Sequence, residues 1–413
     1  MRISHTLFHT ALLGSTLAVA ALAPAAAASL SLAEKRALAV TGNRPPASRA
    51  VSGFSSVREP GTYTVLHNFT GGPGDGQDAT AEPTLDKSGN IYGVTEEGGA
   101  NDAGALFEIT AGGSESLLHS FGGAGDGTAP DGAVSIDSSG NIIGTTNYGG
   151  ASDNGTIWEL AAKGTYSVLH SFAADEGNFV RGHLVQDKKG NFYGTALFGG
   201  TPGYGTVFEY SAKGKLTILH AFDATDGEYP EHGVVMDKDG NLYGATAFGG
   251  ADDNGTVYKI SSKGSFTSLY SFTGGADGGF IYGGIGIDKK GNLYGSTVSY
   301  GASGNGTVFK MTSAGALTTL YNFTGGADGG GPEGDTLVVG KNIYGAATTG
   351  GSSGDGGIYE VTTKGKETMV QSFDAADGDG YSAGLTASGK FFYGTTAGGG
   401  TDGYGVVFSL TKK

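Results

Sequence analysis

The sequence predicts an all-β fold, a seven-bladed β-propeller with four antiparallel strands in each blade. First, a phrase close to "GNLYGATAFGG" (240–250) recurs with a period near 50 residues, which is typical of propeller blades. Second, runs of five to eight β-forming residues alternate with Gly, Asn and Asp, and no helical periodicity follows residue 60. Third, a chain of 413 residues with 38% apolar content suffices for a large core.

The period is measured on the asparagine of the repeated phrase. This residue stands at Asn90, Asn141, Asn191, Asn241, Asn292 and Asn342, and Lys390 takes its place in the last copy. The spacings are 51, 50, 50, 51, 50 and 48 residues. The 80 glycines recur at fixed offsets from this position, so they predict turns between short strands rather than disorder.

Each copy contains four runs, which we name strands a to d. In the fourth copy we assign a to HGVVMD (232–237), b to NLYGATAF (241–248), c to GTVYKIS (255–261) and d to KLTILHAF (215–222). The a–b and c–d connections have the composition of tight hairpins, whereas the b–c and d–a connections are longer. Because antiparallel strands alternate in direction, we expect both long connections on one side of the ring, which we call the loop face.

The two ends of the repeat region complement each other. The region begins with a d-type run, YTVLHNF (63–69), and stops after a c-type run, GVVFSLT (405–411). We expect the N-terminal run to pair with the C-terminal blade, which closes the ring and leaves no blade incomplete.

The N-terminal region predicts export. Arg2, an apolar stretch at 11–23 and small residues up to Ala28 form the pattern of a cleavable signal peptide at 1–28. Residues 29–60 contain five Lys or Arg and two Glu, which predicts a flexible basic leader before a propeller at 61–413. The absence of cysteine excludes a lipid anchor on Cys, and no later stretch is apolar enough to span a membrane. We therefore expect a secreted or periplasmic protein.

The predicted propeller is strongly acidic. Residues 1–60 contain six of the 25 Lys and Arg and two of the 40 Asp and Glu, so the remaining chain has a net charge of −19. Such a surface repels phosphate groups, which makes nucleic acids and anionic lipids poor partners of the propeller. Cations, neutral polymers and basic partners remain compatible with it, and we expect the protein to be a monomer.

The repeat unit has a characteristic pattern, L-H-x-F … D-x-x-G-N-L-Y-G-T-T … G-G … G-T-V-F, present in seven copies over residues 61–413. This pattern resembles the GloVer (Gloeo/Verruco) tandem repeat of exported bacterial proteins. The resemblance implies an extracytoplasmic bacterial protein and supplies no catalytic residue to carry over. Many proteins with this repeat have a C-terminal surface anchor, whereas this chain ends at the last predicted strand.

Comparison among the copies identifies residues that build the blades. One position of strand d has His67, His119, His170 and His220, and the other copies have Tyr270, Tyr321 and Gln371 there. These histidines belong to outer strands of different blades, so we expect a packing role and not a shared metal site. Trp158 takes the place of Phe208 and Tyr258 in strand c and is expected in the core.

The acidic d–a connections are candidates for Ca²⁺ binding, because calcium takes several oxygen ligands from one loop. The residues concerned are Asp223, Asp226, Asp374, Asp377 and Asp379. These loops lack the twelve-residue pattern and the closing Glu of an EF-hand, so simple Asp-Gly turns are the alternative.

Positions that differ between copies near the tunnel mouth are the main candidates for ligand binding. Ten residues before the repeated asparagine, the copies have Thr80, Asp131, Arg181, Glu231 and Tyr282, and a copy shorter by one residue has Glu333. We predict ligand contacts for Asp131, Arg181, His183, Glu231, His232, Tyr282 and Glu333. Since a His–Glu pair supports general acid–base chemistry, Glu231, His232 and His183 are also the candidates for catalysis. A solvated surface cluster is the alternative.

These observations favour a non-enzymatic binding or cell-surface interaction module with a glycan, peptide or protein ligand on the loop face. Aromatic residues in or beside the b–c connections suit stacking against a sugar: Tyr148, Phe198, Tyr204, Phe248, Tyr300 and Tyr404. The alternative is a hydrolase, lyase or lactonase at the tunnel mouth, with a divalent cation such as Ca²⁺. A structural envelope protein without a small ligand is a third possibility.

Overall fold

The computed structural model of the protein describes residues 62–379 and 384–412. These residues contain seven antiparallel sheets of four or five strands in a propeller arrangement, which confirms the predicted fold. The predicted signal peptide (1–28) and leader (29–60) lie outside the described residues. No helix in the described part of the chain has the length and apolarity to cross a lipid bilayer.

Blades 1 to 4 follow the predicted order of strands a, b, c and d. Blade 1 contains Thr84–Leu85, Ile91–Thr95, Ala105–Ile109 and Glu115–Ser120. Blade 2 contains Ser135–Ile136, Ile142–Thr146, Thr156–Leu160 and Tyr166–Ser171. Blade 3 contains Val185–Gln186, Phe192–Ala196, Thr206–Tyr210 and Leu216–Ala221. Blade 4 contains Val235–Met236, Leu242–Thr246, Thr256–Ile260 and Phe266–Ser271.

Blades 5 to 7 complete the set. Blade 5 contains Gly286–Ile287, Leu293–Thr297, Thr307–Met311 and Leu317–Asn322. Blade 6 contains Leu337–Val339, Asn342–Thr349, Gly357–Thr362 and Glu367–Ser372, with an extra short strand Gly330–Pro332. Blade 7 contains Leu385–Ser388, Phe391–Thr396, Val406–Thr411 and, as strand d, Tyr63–Asn68.

One strand assignment in the fourth copy is wrong. The run at 215–222 forms Leu216–Ala221, which pairs with Thr206–Tyr210 in blade 3 rather than with the strands of blade 4. Blade 4 takes Phe266–Ser271 as its strand d. The reason is the short c–d hairpin, which brings each strand d back against the strand immediately before it.

The N-terminal strand belongs to the last blade, as the sequence predicts. Tyr63 pairs with Leu410 and Asn68 with Val406 in an antiparallel register. The inner strands of blades 7 and 1 contact each other, and the Thr395 hydroxyl donates a hydrogen bond of 2.7 Å to the Ala81 carbonyl. Strands from both ends of the propeller thus share one sheet.

In blades 1 to 5 the two long connections of a blade pair with each other. Gly76–Gln77 of a d–a connection pairs with Glu97–Gly98 of the next b–c connection, and Gly127–Thr128 pairs with Tyr148–Gly149. Single bridges do the same in blades 3, 4 and 5: Asn178 with Phe198, Glu228 with Phe248 and Gly279 with Ser299. Both kinds of connection therefore lie on one side, which confirms the expected loop face.

Strand d anchors the d–a connection that follows it. The imidazole of His220 lies 2.8 Å from the Asp226 carboxylate, and His67, His119 and His170 make the same contact with Asp75, Asp126 and Glu176. In the other blades Tyr270, Tyr321 and Gln371 donate to Asp277, Asp328 and Asp377. The predicted packing role of these histidines is confirmed.

A glycine inside strand b explains part of the repeated phrase. A Cβ at Gly93 would lie 2.5 Å from Cζ of Phe107 on strand c, and a Cβ at Gly244 would lie equally close to Cζ of Tyr258. Trp158 fills this place in blade 2, where it is fully buried and packs against Phe121 at a centroid distance of 5.3 Å. Adjacent blades bury these large rings between them, and each ring covers the glycine of strand b. Glycine is therefore required at this position.

Candidate functional site

The segments that precede the inner strands meet at the centre of the ring. Adjacent segments run so close together that a Cβ at Gly132 would lie 2.5 Å from the carbonyl oxygen of Arg181. Gly182, Gly233 and Gly283 lie equally close to the backbone of the neighbouring blade. Glycine at these points lets the backbones touch, and the side chains that flank it come together around a common space.

One group of charged side chains at this centre comprises Asp131, Arg181 and Glu231, from blades 2, 3 and 4, and we call it the arginine cluster. The Arg181 guanidinium donates to the Asp131 carboxylate through Nε, and its Nη1 lies 3.2 Å from Oε2 of Glu231. The two carboxylate side chains are each 3% exposed and that of Arg181 is 14% exposed. The guanidinium therefore compensates two buried negative charges within the protein itself.

Further carboxyl groups lie close to the arginine cluster. Burial and then the negative charge of Asp131 raise the pKa of Glu96 well above its ordinary value. Burial alone would raise the pKa of Asp131, but the charge of Arg181 together with side-chain hydrogen bonds outweighs burial and lowers that pKa. Burial, with Asp131 as the next cause, raises the pKa of Asp78 to about 7. Arg181 thus keeps Asp131 ionised while its acidic neighbours hold protons more readily.

A second group comprises Glu82, His183, His232 and Asp335, from blades 1, 3, 4 and 6, and we call it the histidine cluster. His232 Nδ1 lies 2.9 Å from Oδ1 of Asp335, and the Gly284 N–H donates to the same oxygen at 2.5 Å. His183 Nδ1 lies 3.9 Å from the other oxygen of Asp335. The Glu82 carboxyl group is hydrogen-bonded to Asp335. Four blades thus contribute polar atoms to one point.

The protonation of the histidine cluster is strongly coupled. Burial and then the charge of Asp335 raise the pKa of Glu82 well above its ordinary value. Burial alone would raise the pKa of Asp335, but the charge of His232 and its hydrogen bond lower that pKa to about 2. Burial lowers the pKa of His183. Burial alone would also lower the pKa of His232, but the charge of Asp335 and its hydrogen bond together outweigh burial and raise that pKa. Glu82 consequently holds a proton more readily than Asp335, which lies beside His232.

A small cavity lies between the two clusters. Its walls are Thr80, Ala81, Glu82, Asp131, Gly132, Ala133, Arg181, His183, His232 and Asp335. The volume is about 10 Å³, which is about what one water molecule needs. Pockets for small organic ligands have roughly 300–1,000 Å³. As lined by the described residues, the centre has room for a water molecule or an ion and not for a sugar ring.

Five of the seven residues predicted to contact a ligand meet at this centre: Asp131, Arg181, His183, Glu231 and His232. Tyr282 is buried and packs against Phe248 with the ring centroids 6.0 Å apart. Neither Tyr282 nor Glu333 lines the cavity. Of the catalytic candidates, Glu231 contacts Arg181, while His183 and His232 face Asp335.

Sequence reasoning missed Glu82 and Asp335. Together with His183 they occupy one repeat position, eight residues before the repeated asparagine in the first and third copies and seven in the shorter sixth copy. The second, fourth and fifth copies have Ala133, Gly233 and Gly284 there. The comparison that identified Arg181 and Glu231, continued by two residues, finds all three.

The acidic loops considered for Ca²⁺ form hydrogen-bonded turns. Asp223 accepts a hydrogen bond from the Thr225 N–H, and Asp226 contacts His220. Asp374, Asp377 and Asp379 accept hydrogen bonds from the Ala376 N–H, the Gln371 amide and the Gly398 N–H. Each carboxylate has a role in its own loop, and calcium binding there stays a prediction.

Aromatic rings form an arc on the loop face over blades 2 to 5. Successive rings contact each other, with centroids 5.0 to 6.0 Å apart, in the order Tyr148, Phe179, Phe198, Tyr229, Phe248, Phe280 and Tyr300. We call these seven residues the aromatic arc. Phe248 is buried and the other six are at least partly exposed. The predicted aromatic residues Tyr204 and Tyr404 lie outside this chain of rings.

Three rings of the aromatic arc sit on left-handed backbone. The φ angles of Phe179, Tyr229 and Phe280 are 61°, 57° and 61°. The equivalent residues of other copies, Asp78, Ala129 and Gly331, have φ of 62°, 52° and 59°. The repeat thus imposes this conformation, which costs a bulky L-residue about 1–2 kcal/mol.

Tyr300 departs furthest from the repeat. Its φ is 63° and it is 39% exposed. The equivalent position in the other six copies is a glycine with positive φ: Gly98, Gly149, Gly199, Gly249, Gly350 and Gly399. A tyrosine here adopts a backbone conformation that favours glycine, and its partly exposed ring packs on Phe280 at the end of the aromatic arc.

Solved structures with similar folds support the propeller assignment. The extracellular domain assigned to the hybrid two component system BT3049 of B. thetaiotaomicron has a TM-score of 0.54 at 14% identity, over 86% of this chain and 41% of that chain. PorZ, a bacterial surface component of the type-IX secretion system of Porphyromonas gingivalis, has a TM-score of 0.51 at 14% identity, over 82% of this chain and 47% of that chain. A puromycin hydrolase has a TM-score of 0.52 at 12% identity, over 78% of this chain and 50% of that chain.

These likenesses concern the fold. The chain spans about two fifths of the length of the extracellular domains it matches, 38% and 41%. A comparison with curated protein sequences gives no significant match.

The repeat itself matches a described family. The profile of the Gloeobacter/Verrucomicrobia repeat matches residues 48–239 and again residues 231–413, and the two matches together cover all seven blades. The chain therefore belongs to the Gloeobacter/Verrucomicrobia repeat family.

Proposed function

We propose that this protein is an exported bacterial binding module that recognises its ligand on the aromatic arc and catalyses no reaction. The observation that carries the proposal is Tyr300, an exposed ring on left-handed backbone where six other copies have glycine. Strained backbone that the fold does not need is concentrated at functional sites. Exposed tyrosines are also among the residues that dominate binding surfaces.

The ligand we expect is a neutral glycan or a peptide segment with basic residues. The aromatic arc offers apolar ring faces and edges that suit the C–H faces of a sugar or the side chains of a peptide. Asp175 and Asp252 are exposed in the connections beside the arc, and the net charge of the chain after residue 60 is −19. Such a field attracts cationic groups and repels anionic polymers.

Action outside the cytoplasm is part of the proposal. It is supported by the N-terminal sequence, which has the pattern of a cleavable signal peptide. Membership of the repeat family agrees with it, because the resemblance stated above concerns exported bacterial proteins.

The catalytic alternative, a hydrolase, lyase or lactonase at the centre, has less support. The cavity of about 10 Å³ is too small for an organic substrate, and Arg181 already compensates Asp131 and Glu231. Glu231, His232 and His183 remain the residues to test for it.

The decisive experiment screens the protein on a glycan array and on a peptide display library, and repeats the screen with Tyr300→Gly. This variant restores the residue that the repeat has elsewhere, so we expect it to be at least as stable as the parent. We also expect it to lose ligand affinity about 30-fold, as for a residue that dominates an interface. Phe280→Gly should act in the same direction.

The matched control is Tyr404→Ser. Tyr404 is 41% exposed and lies on the loop face in blade 7, outside the aromatic arc. Its removal should leave the affinity unchanged. A screen with no binder, or a binder that Tyr300→Gly and Phe280→Gly leave unaffected, would show that the arc does not recognise a ligand.

A further inference from the structure

The histidine cluster contains donor atoms that can converge on one ion. One ligand atom from each of Glu82, His183 and Asp335 lies within 4.8 Å of the others. These residues occupy the same repeat position on blades 1, 3 and 6 and therefore approach the centre of the ring from three directions. The arrangement is independent of the aromatic arc and of the function proposed for it.

One potential metal-ligating atom is not satisfied by the described residues. Nδ1 of His183 is buried and has no hydrogen-bond partner among the described residues. The ring also makes a hydrogen bond with the backbone of Val234. Metal-binding histidines use such a bond to fix the tautomer and to point the other nitrogen at the ion. A buried orphan nitrogen requires an explanation, and an ion is one of the few available.

The surroundings of Asp335 resemble an outer coordination shell. Its Oδ1 accepts a hydrogen bond from the Gly284 N–H and lies 2.9 Å from His232 Nδ1. A Cβ at Gly284 would collide with the same carboxylate, so glycine there makes room for it. Carboxylates that bind metals are held in this way by groups that do not touch the ion.

We propose that Glu82, His183 and Asp335 form a binding site for a divalent transition-metal ion, such as Zn²⁺ or Mn²⁺, in the central cavity. An imidazole ligand favours these ions over Ca²⁺ and Mg²⁺, which prefer oxygen ligands alone. Two carboxylates neutralise the double positive charge, and the cavity of about 10 Å³ matches a single ion. The ion would link three non-adjacent blades across the ring.

The test measures metal uptake by the full chain after removal of metals with a chelator. Titration with ZnCl₂, MnCl₂ and CaCl₂ is followed by calorimetry, and Co²⁺ is used as a probe because its visible absorption reports nitrogen and oxygen ligands. We expect one equivalent of Zn²⁺ or Mn²⁺ to bind. His183→Gln and Glu82→Gln should each weaken binding about 100-fold or more, at least as much as loss of an outer-shell partner does.

The matched control is His67→Gln. His67, Asp75 and Glu115 form another His-carboxylate group, but His67 already contacts Asp75 at 3.2 Å. Unchanged metal binding by this variant supports the proposal. It is overturned if the parent binds no transition metal, if it prefers Ca²⁺, or if both His183→Gln and Glu82→Gln bind as the parent does. Circular dichroism identifies a variant that fails to fold. If one of the two site variants does not fold, the metal affinity and the Co²⁺ spectrum of the other decide whether the proposal holds.

Discussion

Replacing Arg181 by Met tests the arginine cluster most directly. The change removes the cation that contacts Asp131 and Glu231, whose side chains are each 3% exposed, and keeps an apolar stem of similar length. Breaking a buried ion pair by removing one partner costs about 3–5 kcal/mol, because a charge is left uncompensated. Two carboxylates lose their partner here, so we expect Arg181→Met to reach at least the upper part of that range at pH 8.

The loss should depend on pH. Without Arg181, burial raises the pKa of Asp131 above its value in the unfolded chain. A raised pKa stabilises the fold only while the group is protonated, so the loss must shrink as the pH falls toward 5. The assay is urea unfolding at pH 8 and pH 5, followed by the fluorescence of Trp158, the single tryptophan of the chain and fully buried in blade 2.

Two further variants serve as comparison and control for Arg181→Met. Arg181→Lys keeps the charge but not the planar fork of donors, so its loss should be intermediate. Lys163→Met removes an exposed charge and should change the free energy of unfolding by no more than about 0.5 kcal/mol. If Arg181→Met unfolds at the same urea concentration as the parent at pH 8, the reasoning about buried charge at the centre is wrong.

Three further variants test other parts of the structure. Asp78→Asn should raise the free energy of unfolding by about 1–3 kcal/mol at pH 8 and by less at pH 5. The reason is that the pKa of Asp78 is raised to about 7, so the parent loses stability as the pH rises through that value. Equal melting temperatures of variant and parent at both pH values would contradict this. Gly244→Ala should lower the free energy of unfolding in urea by about 1–3 kcal/mol because its methyl group meets the Tyr258 ring. Gly72→Ala is the control and should be neutral, since nothing lies within 4 Å of the added methyl group. Equal losses in the two variants would refute the packing argument. His220→Ala should speed amide hydrogen exchange in the connection 223–231, since it removes the contact with Asp226 and the ring stacked on Phe266 at 3.6 Å; unchanged exchange would show that His220 does not anchor this loop.

The sequence predicted the number of blades because each copy repeats the same local signals. The lengths of the inner strands were less predictable. Strand a of blade 4 was expected at 232–237, yet the strand is Val235–Met236. The residues before it turn toward the centre, where the backbones of adjacent blades touch at Gly182 and Gly233. Contacts between blades, which local composition does not reveal, shorten these strands.

The candidate sites show a similar division. Divergence between copies pointed to Arg181, Glu231 and His232, but the approach of Glu82 and Asp335 across the ring arises from the closure of seven blades. Four members of the aromatic arc were predicted from their place in the b–c connections: Tyr148, Phe198, Phe248 and Tyr300. Phe179, Tyr229 and Phe280 were missed, because a left-handed backbone under an aromatic residue has no signal in composition.

The shared seventh sheet has a consequence for the order of folding. Blades 1 to 6 are each assembled from neighbouring segments, whereas the pairing of Tyr63–Asn68 with Val406–Thr411 joins strands separated by most of the chain. Closing so long a loop costs about 3 kcal/mol more chain entropy than closing a hairpin. Non-local pairings of this kind also form slowly. Blade 7 should therefore be the last to assemble, and a growing chain can complete its ring only after the segment that contains Val406–Thr411 has been synthesised.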